Sequence, residues 1–360
     1  MFEELLDRVV IDDPVVTRSE DQLDQLCNVI LLKLYSDKLA KLRPSEEVFF
    51  RVRESARRTA EEMRTKFAEL VNLYPDTFTT ERDRQLVLAD ASVTHCVEAL
   101  APLRLGDIGA STVALGFQVL RAAALRSGEG QYFTPQPVIA AGVKLIQADL
   151  DDLIIDPACG TGGFLVEVYA QMQRKYPGRG ADLSRWAQTN IFGIDKDAIA
   201  VKLTKAIMQI AEDGSAHCVR GDSVRTHLWP SEYPHLAGPS FADGRFSVVV
   251  TNPPFGQNLK VSASDARLSG LDISRAMGGG NYRDLEIGLL FLQRAHQLLR
   301  VGGRLGIILP ETYFFSPQYQ WVFDWLEPRF RPLAIADVPM EAFAGFCRAK
   351  TNFYVFEKVG

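Results

Sequence analysis

From Leu153 to Phe356 short apolar runs alternate with longer helical stretches, and this alternation narrows the fold more than any other feature. The runs are Leu153–Ile155, Ile191–Ile194, Val248–Val250, Leu305–Leu309, Leu333–Ala336 and Asn352–Phe356, with a weaker one around Cys218-Val219. Helical stretches lie between them, most clearly Ala198–Ala211 and Leu285–Leu299. Strands in series with helices predict an α/β fold: a doubly wound, mostly parallel, seven-stranded sheet. Such sheets bind ligands at the carboxyl ends of their strands, so functional residues are sought there.

Ahead of the alternation the chain reads as helical. Thr17-Arg18-Ser19-Glu20 has capping-box spacing, with Glu three residues after a hydroxyl. Leu23, Leu26, Ile30 and Leu34 then recur at helical intervals. Val52, Ala56, Ala60, Met63, Phe67 and Leu70 make a second stripe, ended by Tyr74-Pro75-Asp76, and Leu86, Val93, Val97 and Leu100 a third. The pattern changes at Ser127-Gly128-Glu129-Gly130. The expected division is an α-helical domain over residues 1–128 and an α/β domain over 129–360. Within the second, Thr226–Gly244 and Gly256–Arg283 read as long loops, which are usually functional or disordered.

Composition removes several classes. With 47% hydrophobic and 24% charged residues the chain is not disordered overall. Its 40 Lys and Arg against 45 Asp and Glu leave a net charge of −5, so charge does not advertise nucleic acid. Contact with DNA would have to be local or shared with a partner. No apolar run is long enough for a membrane helix, and the acidic start Met1-Phe2-Glu3-Glu4 is unlike a signal peptide. Cys27, Cys96, Cys159, Cys218 and Cys347 form no C-x-x-C pair, which fits a reducing cytoplasm and neither a zinc site nor a disulfide framework. His95, His217, His227, His235 and His296 have no metal-ligand spacing, so no metal is expected. Arg51, Arg53, Arg57 and Arg58 are interleaved with Glu54, Glu61 and Glu62, the pattern of a solvated helix face more than a DNA track. Tyr313-Phe314-Phe315 reads as core or rim packing in preference to a stacking platform.

The chemistry-bearing segments follow strand ends. Asp156-Pro157-Ala158-Cys159-Gly160-Thr161-Gly162-Gly163-Phe164 leads from the first strand into a helix. Its glycines let backbone amides approach a ligand, and a helix N-terminus favours a negative group. No Lys follows the last glycine, so the segment is not a phosphate-gripping P-loop, and it departs from G-x-G-x-x-G. The candidate binding residues here are Asp156, Ala158, Gly160, Thr161, Gly162 and Gly163. Asp195 ends the second strand, placed to accept hydrogen bonds from ribose hydroxyls. Asp222 ends the weak third strand, facing an adenine amino group in this scheme. Either Asp alone reads as a turn or cap residue; in series they favour a nucleoside.

The strongest local signal is Thr251-Asn252-Pro253-Pro254-Phe255-Gly256, directly after Phe246–Val250. Two prolines end the strand and stiffen the turn, presenting Asn252 rigidly beside an aromatic ring. The Asn252 side-chain oxygen and the Pro253 carbonyl are two acceptors for one amino group, and Phe255 is a surface on which a flat base stacks. A purely structural turn would not require the Asn.

Asp156–Phe164 resembles the S-adenosylmethionine motif, and Asn252-Pro253-Pro254-Phe255 the catalytic motif, of amino-group DNA methyltransferases. Gly130-Gln131-Tyr132-Phe133-Thr134-Pro135 narrows the resemblance to modification subunits of type I restriction–modification systems, which are N6-adenine methyltransferases with a helical N-terminal domain. The resemblance implies cofactor contacts at Gln131, Tyr132, Phe133, Thr134, Pro135 and Gln136, at Thr161, Gly162 and Gly163, and at Asp195. It implies catalytic positions at Asn252, Pro253, Pro254 and Phe255. It also implies S-adenosylmethionine as cofactor, duplex DNA as substrate, and a DNA-specificity subunit and a restriction subunit as partners. Other readings of the same motifs are an RNA or protein-glutamine methyltransferase, and a non-catalytic DNA-binding assembly subunit. Family members usually continue past the sheet into a helical tail that grips the specificity subunit, whereas this sequence stops at Phe356-Glu357-Lys358-Val359-Gly360. A different mode of partner contact, or further chain, is the expectation from that difference.

Overall fold

The computed structural model describes residues 13–107, 113–114, 116–117, 134–211, 216–256, 258–277, 279–343 and 350–360. By packing, the chain divides into two units: Met1–Gly128 with Lys202–Ser215, and Glu129–Val201 with Ala216–Gly360.

The first unit is helical: α1 (Ser19–Leu42), α2 (Ala56–Leu73) and α3 (Asp90–Leu100). The leucine and isoleucine stripe of α1 is buried, but so is the whole helix from Gln22 to Ser36. Polar side chains enclosed in this way need partners in place. Gln25 donates to the Gln85 carbonyl (3.1 Å) and accepts from the Val87 amide (2.8 Å). Asp24 and Asn28 hold the buried Lys202 ammonium, which lies 3.0 Å from Asn28 Oδ1 and 3.1 Å from Asp83 Oδ1. Burial alone would lower the pKa of Lys202; the Asp24 and Asp83 carboxylates outweigh it and raise it. Breaking such a buried pair typically costs about 3–5 kcal/mol.

Two local expectations are corrected here. Helix α1 starts at Ser19 with Arg18 as its N-cap, and no side chain caps it; the hydroxyl of Thr17 falls one residue too early. The second stripe begins at Ala60, because Val52 and Ala56 precede the buried turn of α2 and are exposed. Ser55 caps this helix, accepting from the Arg58 amide at 3.2 Å. The arginine run is paired within its own neighbourhood: Arg53 with Glu62, Arg57 with Glu61 at 2.8 Å, and Arg51 with Glu47.

The second unit opens with α4 (Gln136–Ile146) and then alternates: β1 (Ile154–Asp156), α5 (Gly163–Lys175), α6 (Gly180–Asn190), β2 (Ile191–Asp195), α7 (Ala198–Ala206, whose residues from Lys202 on belong to the first unit), β3 (His217–Arg220) and β4 (Phe246–Thr251). After a small insertion come α10 (Ile287–Leu298), β7 (Leu299–Pro310), α11 (Gln320–Leu326), β8 (Phe330–Val338) and β9 (Thr351–Lys358). The insertion holds β5 (Lys260–Val261), α8 (Ala263–Leu268), α9 (Ile273–Met277) and β6 (Leu285–Glu286). The seven-stranded sheet has the order β3-β2-β1-β4-β7-β9-β8. Strands β3 to β7 in that order pair parallel, and β9 runs antiparallel to both β7 and β8. Each apolar run of the sequence is one of these seven strands.

Strand β4 is buried at all six positions, which is why it reads as a continuous apolar run rather than an alternating one. Strand β8 lies at the edge and is exposed along most of its length. An edge strand tolerates Pro332, which has no amide to donate.

The two long loops are not loops. Trp229, Leu236 and Phe241 of the first, and Val261, Ala266, Leu271 and Ile273 of the second, join the core formed by Ile155, Phe192, Val249 and Leu305. Their elements are only two to six residues long, too short to sustain either a helical or a strand period in the sequence. Among the described residues no helix is long and apolar enough to cross a membrane.

Candidate active site

Parallel pairing delivers the ends of β1, β2, β3 and β4 to one edge of the sheet. Asp156 lies opposite Gly193, Asp195 opposite Arg220, and Ile155 opposite Val249. Chain order runs outward from β1 to β3 and then returns to β4, so the edge between β1 and β4 is the point where the winding reverses. Open α/β sheets hold their ligands there.

The glycine segment turns tightly at this edge. The Ala158 amide donates to Asp156 Oδ1 (3.0 Å), the Cys159 amide to the Ile194 carbonyl (3.0 Å), and the Gly160 amide to Asp195 Oδ2 (2.8 Å). Gly160 and Gly162 have φ of +53° and +82°, a region costly for residues with a Cβ. A Cβ at Gly160 would meet nothing within 4 Å, so the backbone conformation and not crowding requires the glycine. Gly162 caps α5, Gly163 opens it, and Thr161 is buried beside them.

The three acids differ in their surroundings. Asp156 is buried, and burial pushes its carboxyl up to about 7, with the nearby Asp195 adding in the same direction. Asp195 is half-buried, bonded to the Gly160 amide and, at 2.9 Å, to the Asp197 amide. Asp222 is buried; burial alone would raise its pKa, but amides of Arg225 and Val224 and the Lys196 charge hold it below the ordinary carboxylate value. Those two amides donate to Oδ1 at 2.9 Å each, and Arg225 Nη1 lies 3.1 Å from Oδ2.

The catalytic-type turn follows β4. Asn252 Nδ2 donates to Thr134 Oγ1 at 2.9 Å, and Thr134 is itself buried. The segment before α4 therefore meets the Asn-Pro-Pro turn directly. Pro253 is buried, and Pro254 and Gly256 half-buried. Phe255 is only 1% exposed. Its back is against Gly288, where an added Cβ would lie 3.1 Å from Phe255 Cβ and 3.4 Å from the Tyr313 ring. Tyr313 and Tyr319 both donate to the buried Glu286 carboxylate, Tyr313 at 2.6 Å.

The structure thus brings Asp156, Ala158, Gly160–Gly163, Asp195, Asp222, Thr134 and Asn252–Phe255 to one edge. It faces Gln136 elsewhere, with Nε2 donating to the buried Glu167 of α5 at 2.9 Å. Pro135 is the N-cap of α4. Gln131, Tyr132 and Phe133 lie outside the described residues. The Phe255 ring, expected to stack on a flat base, is buried in this structure. Tyr313 and Phe314 are buried as expected of packing residues, while Phe315 is exposed. Sequence reasoning missed the Thr134–Asn252 bond, Gly288, and Arg225 on Asp222. Only the last had a local signal, an acid and a base three residues apart. Among the described residues no three or more His, Cys, Asp or Glu side chains form a group able to hold a metal ion.

The sheet defines a fold class: it superposes on a chain described as a class I S-adenosylmethionine-dependent methyltransferase from Listeria monocytogenes with a TM-score of 0.54 at 16% identity, over 94% of this chain and 88% of that one. A profile of the N-6 DNA methylase family matches residues 118–320, and the chain belongs to that family. Among curated proteins it is 28% identical over 198 residues to the type I restriction enzyme EcoKI methylase subunit of Escherichia coli K12, covering 53% of this chain and 33% of that protein. The chain thus spans about a third of the length of that relative. Among solved structures, a chain described as the modification subunit of a type I restriction enzyme from Vibrio vulnificus YJ016 superposes with a TM-score of 0.68 at 19% identity, over 100% of this chain and 81% of that one. A type I restriction-modification methyltransferase subunit from Streptococcus thermophilus gives 0.57 at 16% identity, over 99% and 83%. Family and fold imply use of S-adenosylmethionine.

Proposed function

We propose that this chain is a site-specific DNA adenine-N6 methyltransferase, the modification subunit of a type I-like restriction–modification or related phage-defence system. The observation that carries the reading is the Thr134–Asn252 hydrogen bond at the winding reversal, beside three strand-end acids. Thr134 commits the amide nitrogen of Asn252, which sets the amide plane and directs Oδ1 as the acceptor. With the Pro253 carbonyl it orients both hydrogens of an adenine amino group, favouring a pyramidal nitrogen over one conjugated with the ring.

The residues present fit the cofactor. The Gly160 surface is open where a Cβ would stand, and Asp195 offers a half-exposed carboxylate beside it. S-adenosylmethionine, when bound, supplies an electrophilic methyl group for in-line transfer. Asp195 would hold the ribose hydroxyls, the amides of the Gly160–Gly163 turn the carboxylate, and Asp222 the adenine end. The protein contributes positioning more than covalent chemistry. A target adenine must leave the duplex to reach the turn. Phe255 then serves the base only if its buried ring swings out.

With a net charge of −5, target reading falls to a separate DNA-specificity subunit, with a restriction subunit completing the assembly. The test is transfer of labelled methyl from S-adenosylmethionine to duplex DNA, RNA or protein, with a specificity subunit supplied. Label in N6-methyladenine is the expected result. Label in RNA or in glutamine, or in nothing while cofactor binds, would replace the proposal.

A further inference from the structure

Asp222 is surrounded more fully than an adenine contact requires. Oδ1 accepts the amides of Val224 and Arg225 at 2.9 Å each. Oδ2 lies 3.1 Å from Arg225 Nη1 and 3.4 Å from Lys196 Nζ. A carboxylate accepts about four hydrogen bonds. An amino group arriving here displaces the weakest contact, which is Lys196: its ion pair is the longest, and its side chain is 61% exposed.

Arg225 has a second hold. Its Nε donates to Asp265 Oδ2 at 2.9 Å, on helix α8 of the insertion. One planar guanidinium therefore bridges two carboxylates through different nitrogens, which a lysine ammonium does not reproduce. Asp265 is fixed further by its own amide to Ser262 Oγ (3.0 Å), and His227 Nε2 lies 3.7 Å from Oδ1.

The insertion that carries Asp265 also anchors the catalytic turn. The Leu259 amide donates to the Gly256 carbonyl (2.9 Å), and the Ile287 amide to the Leu259 carbonyl (2.9 Å). Gly288, immediately after, backs Phe255. Hydrogen-bonded and packed contacts thus run from Asp222 through Arg225 and Asp265 to the segment that holds Phe255.

We propose that Arg225 is a positioning residue that couples the adenine end of the cofactor site, through Asp222, to the α8-bearing insertion and so to the catalytic turn. The inference rests on the methyltransferase reading of the site. When adenine replaces Lys196 on Oδ2, Arg225 becomes the principal cation on that oxygen. Its bridge to Asp265 tightens, and α8 is held in place while the turn takes a base.

The experiment is amide hydrogen exchange of residues 258–277 in the full chain, with and without S-adenosylmethionine, with cofactor affinity measured by calorimetry. In the wild type, cofactor is expected to slow exchange about fivefold, the low end of usual coupling between sites. In Asp265→Asn, which leaves Asp222 untouched, and in Arg225→Lys, the slowing falls below about twofold while cofactor still binds. A purely structural Arg225 would change the melting temperature and leave the cofactor-dependent slowing intact. Wild-type protein that binds cofactor without slowing, or variants that keep it, would overturn the coupling alone. Wild-type protein that binds no cofactor would overturn the methyltransferase reading and the coupling together.

Discussion

The two halves of the site are built differently. Along β1, β2 and β3 each acid accepts at least one amide two or three residues away: Asp156 from Ala158, Asp195 from Asp197, Asp222 from Val224 and Arg225; Asp195 alone adds a distant amide, that of Gly160, 35 residues earlier. At β4 the fixing partners are remote. Asn252 is oriented by Thr134, 118 residues earlier in the chain, and Phe255 is backed at its Cβ by Gly288. A locally fixed acid survives change elsewhere. A remotely fixed amide depends on the packing of the whole unit, so its substitutions should act on turnover more than on cofactor binding.

The sharpest break between the halves is Asn252→Ala. Methyl transfer should fall by about a thousandfold or more with cofactor affinity nearly unchanged, since the lost interaction is made in the transition state. Near wild-type turnover would show that the acceptor pair is not the mechanism. On the other half, Asp195→Ala should weaken cofactor binding by about 1–3 kcal/mol, the cost of leaving buried polar groups unpaired. Calorimetry on the folded variant checks it, and unchanged affinity would remove Asp195 from the ribose role.

Thr134→Val separates two roles for one residue. If Thr134 serves Asn252, kcat drops about tenfold, the worth of roughly 1.4 kcal/mol, and cofactor affinity holds. If it serves the cofactor, as the family resemblance implies, affinity falls instead.

A smaller effect concerns Asp156. Its folded pKa of about 7 lies above the ordinary value of 3.8, so the native state binds the extra proton between those limits. Stability contributed by the neutral carboxyl is present below about pH 4 and lost as pH rises toward 7. Between pH 6 and 7 the cofactor-free protein should lose about 1 kcal/mol, and Asp156→Asn should lose none of that share. Urea unfolding at the two pH values measures it; equal slopes would deny the burial effect.

The least effect is expected in duplex binding by the chain alone. A titration at fixed salt should show weak binding with no measurable preference for a methylatable site over a scrambled one. Tight, selective binding would mean that the chain reads bases itself, through Thr226–Gly244 or the insertion.

The strand series and the Asn-Pro-Pro-Phe turn were legible because each is encoded within a few residues. Apolar runs mark strands, and glycines with φ of +53° and +82° mark a turn whatever the rest of the chain does. The placement of the three acids was legible for the same reason, one standing at each strand end. The segments 226–244 and 256–283 were not, because their elements are too short to show a period and are ordered only by the core that Trp229, Leu236, Val261 and Ile273 join. Nor was the inclusion of Lys202–Ser215 in the helical unit, which depends on Asp24, Asn28 and Asp83 meeting one ammonium from distant parts of the chain.

By itself, the sequence determined the order of strands and helices, the stiffness of the turn at Asn252, and the presence of an acid at three successive strand ends. Periodicity, proline geometry and glycine conformation act over one to seven residues, so they are written in contiguous sequence. The tertiary structure alone decided what each of those residues touches. It turned Thr134 toward Asn252, placed Phe255 under Gly288, and joined Asp222 to Asp265 through Arg225. Hydrogen bonds and close packing act over a few ångströms regardless of separation along the chain, and only the folded sheet brings residues that far apart in sequence within that reach.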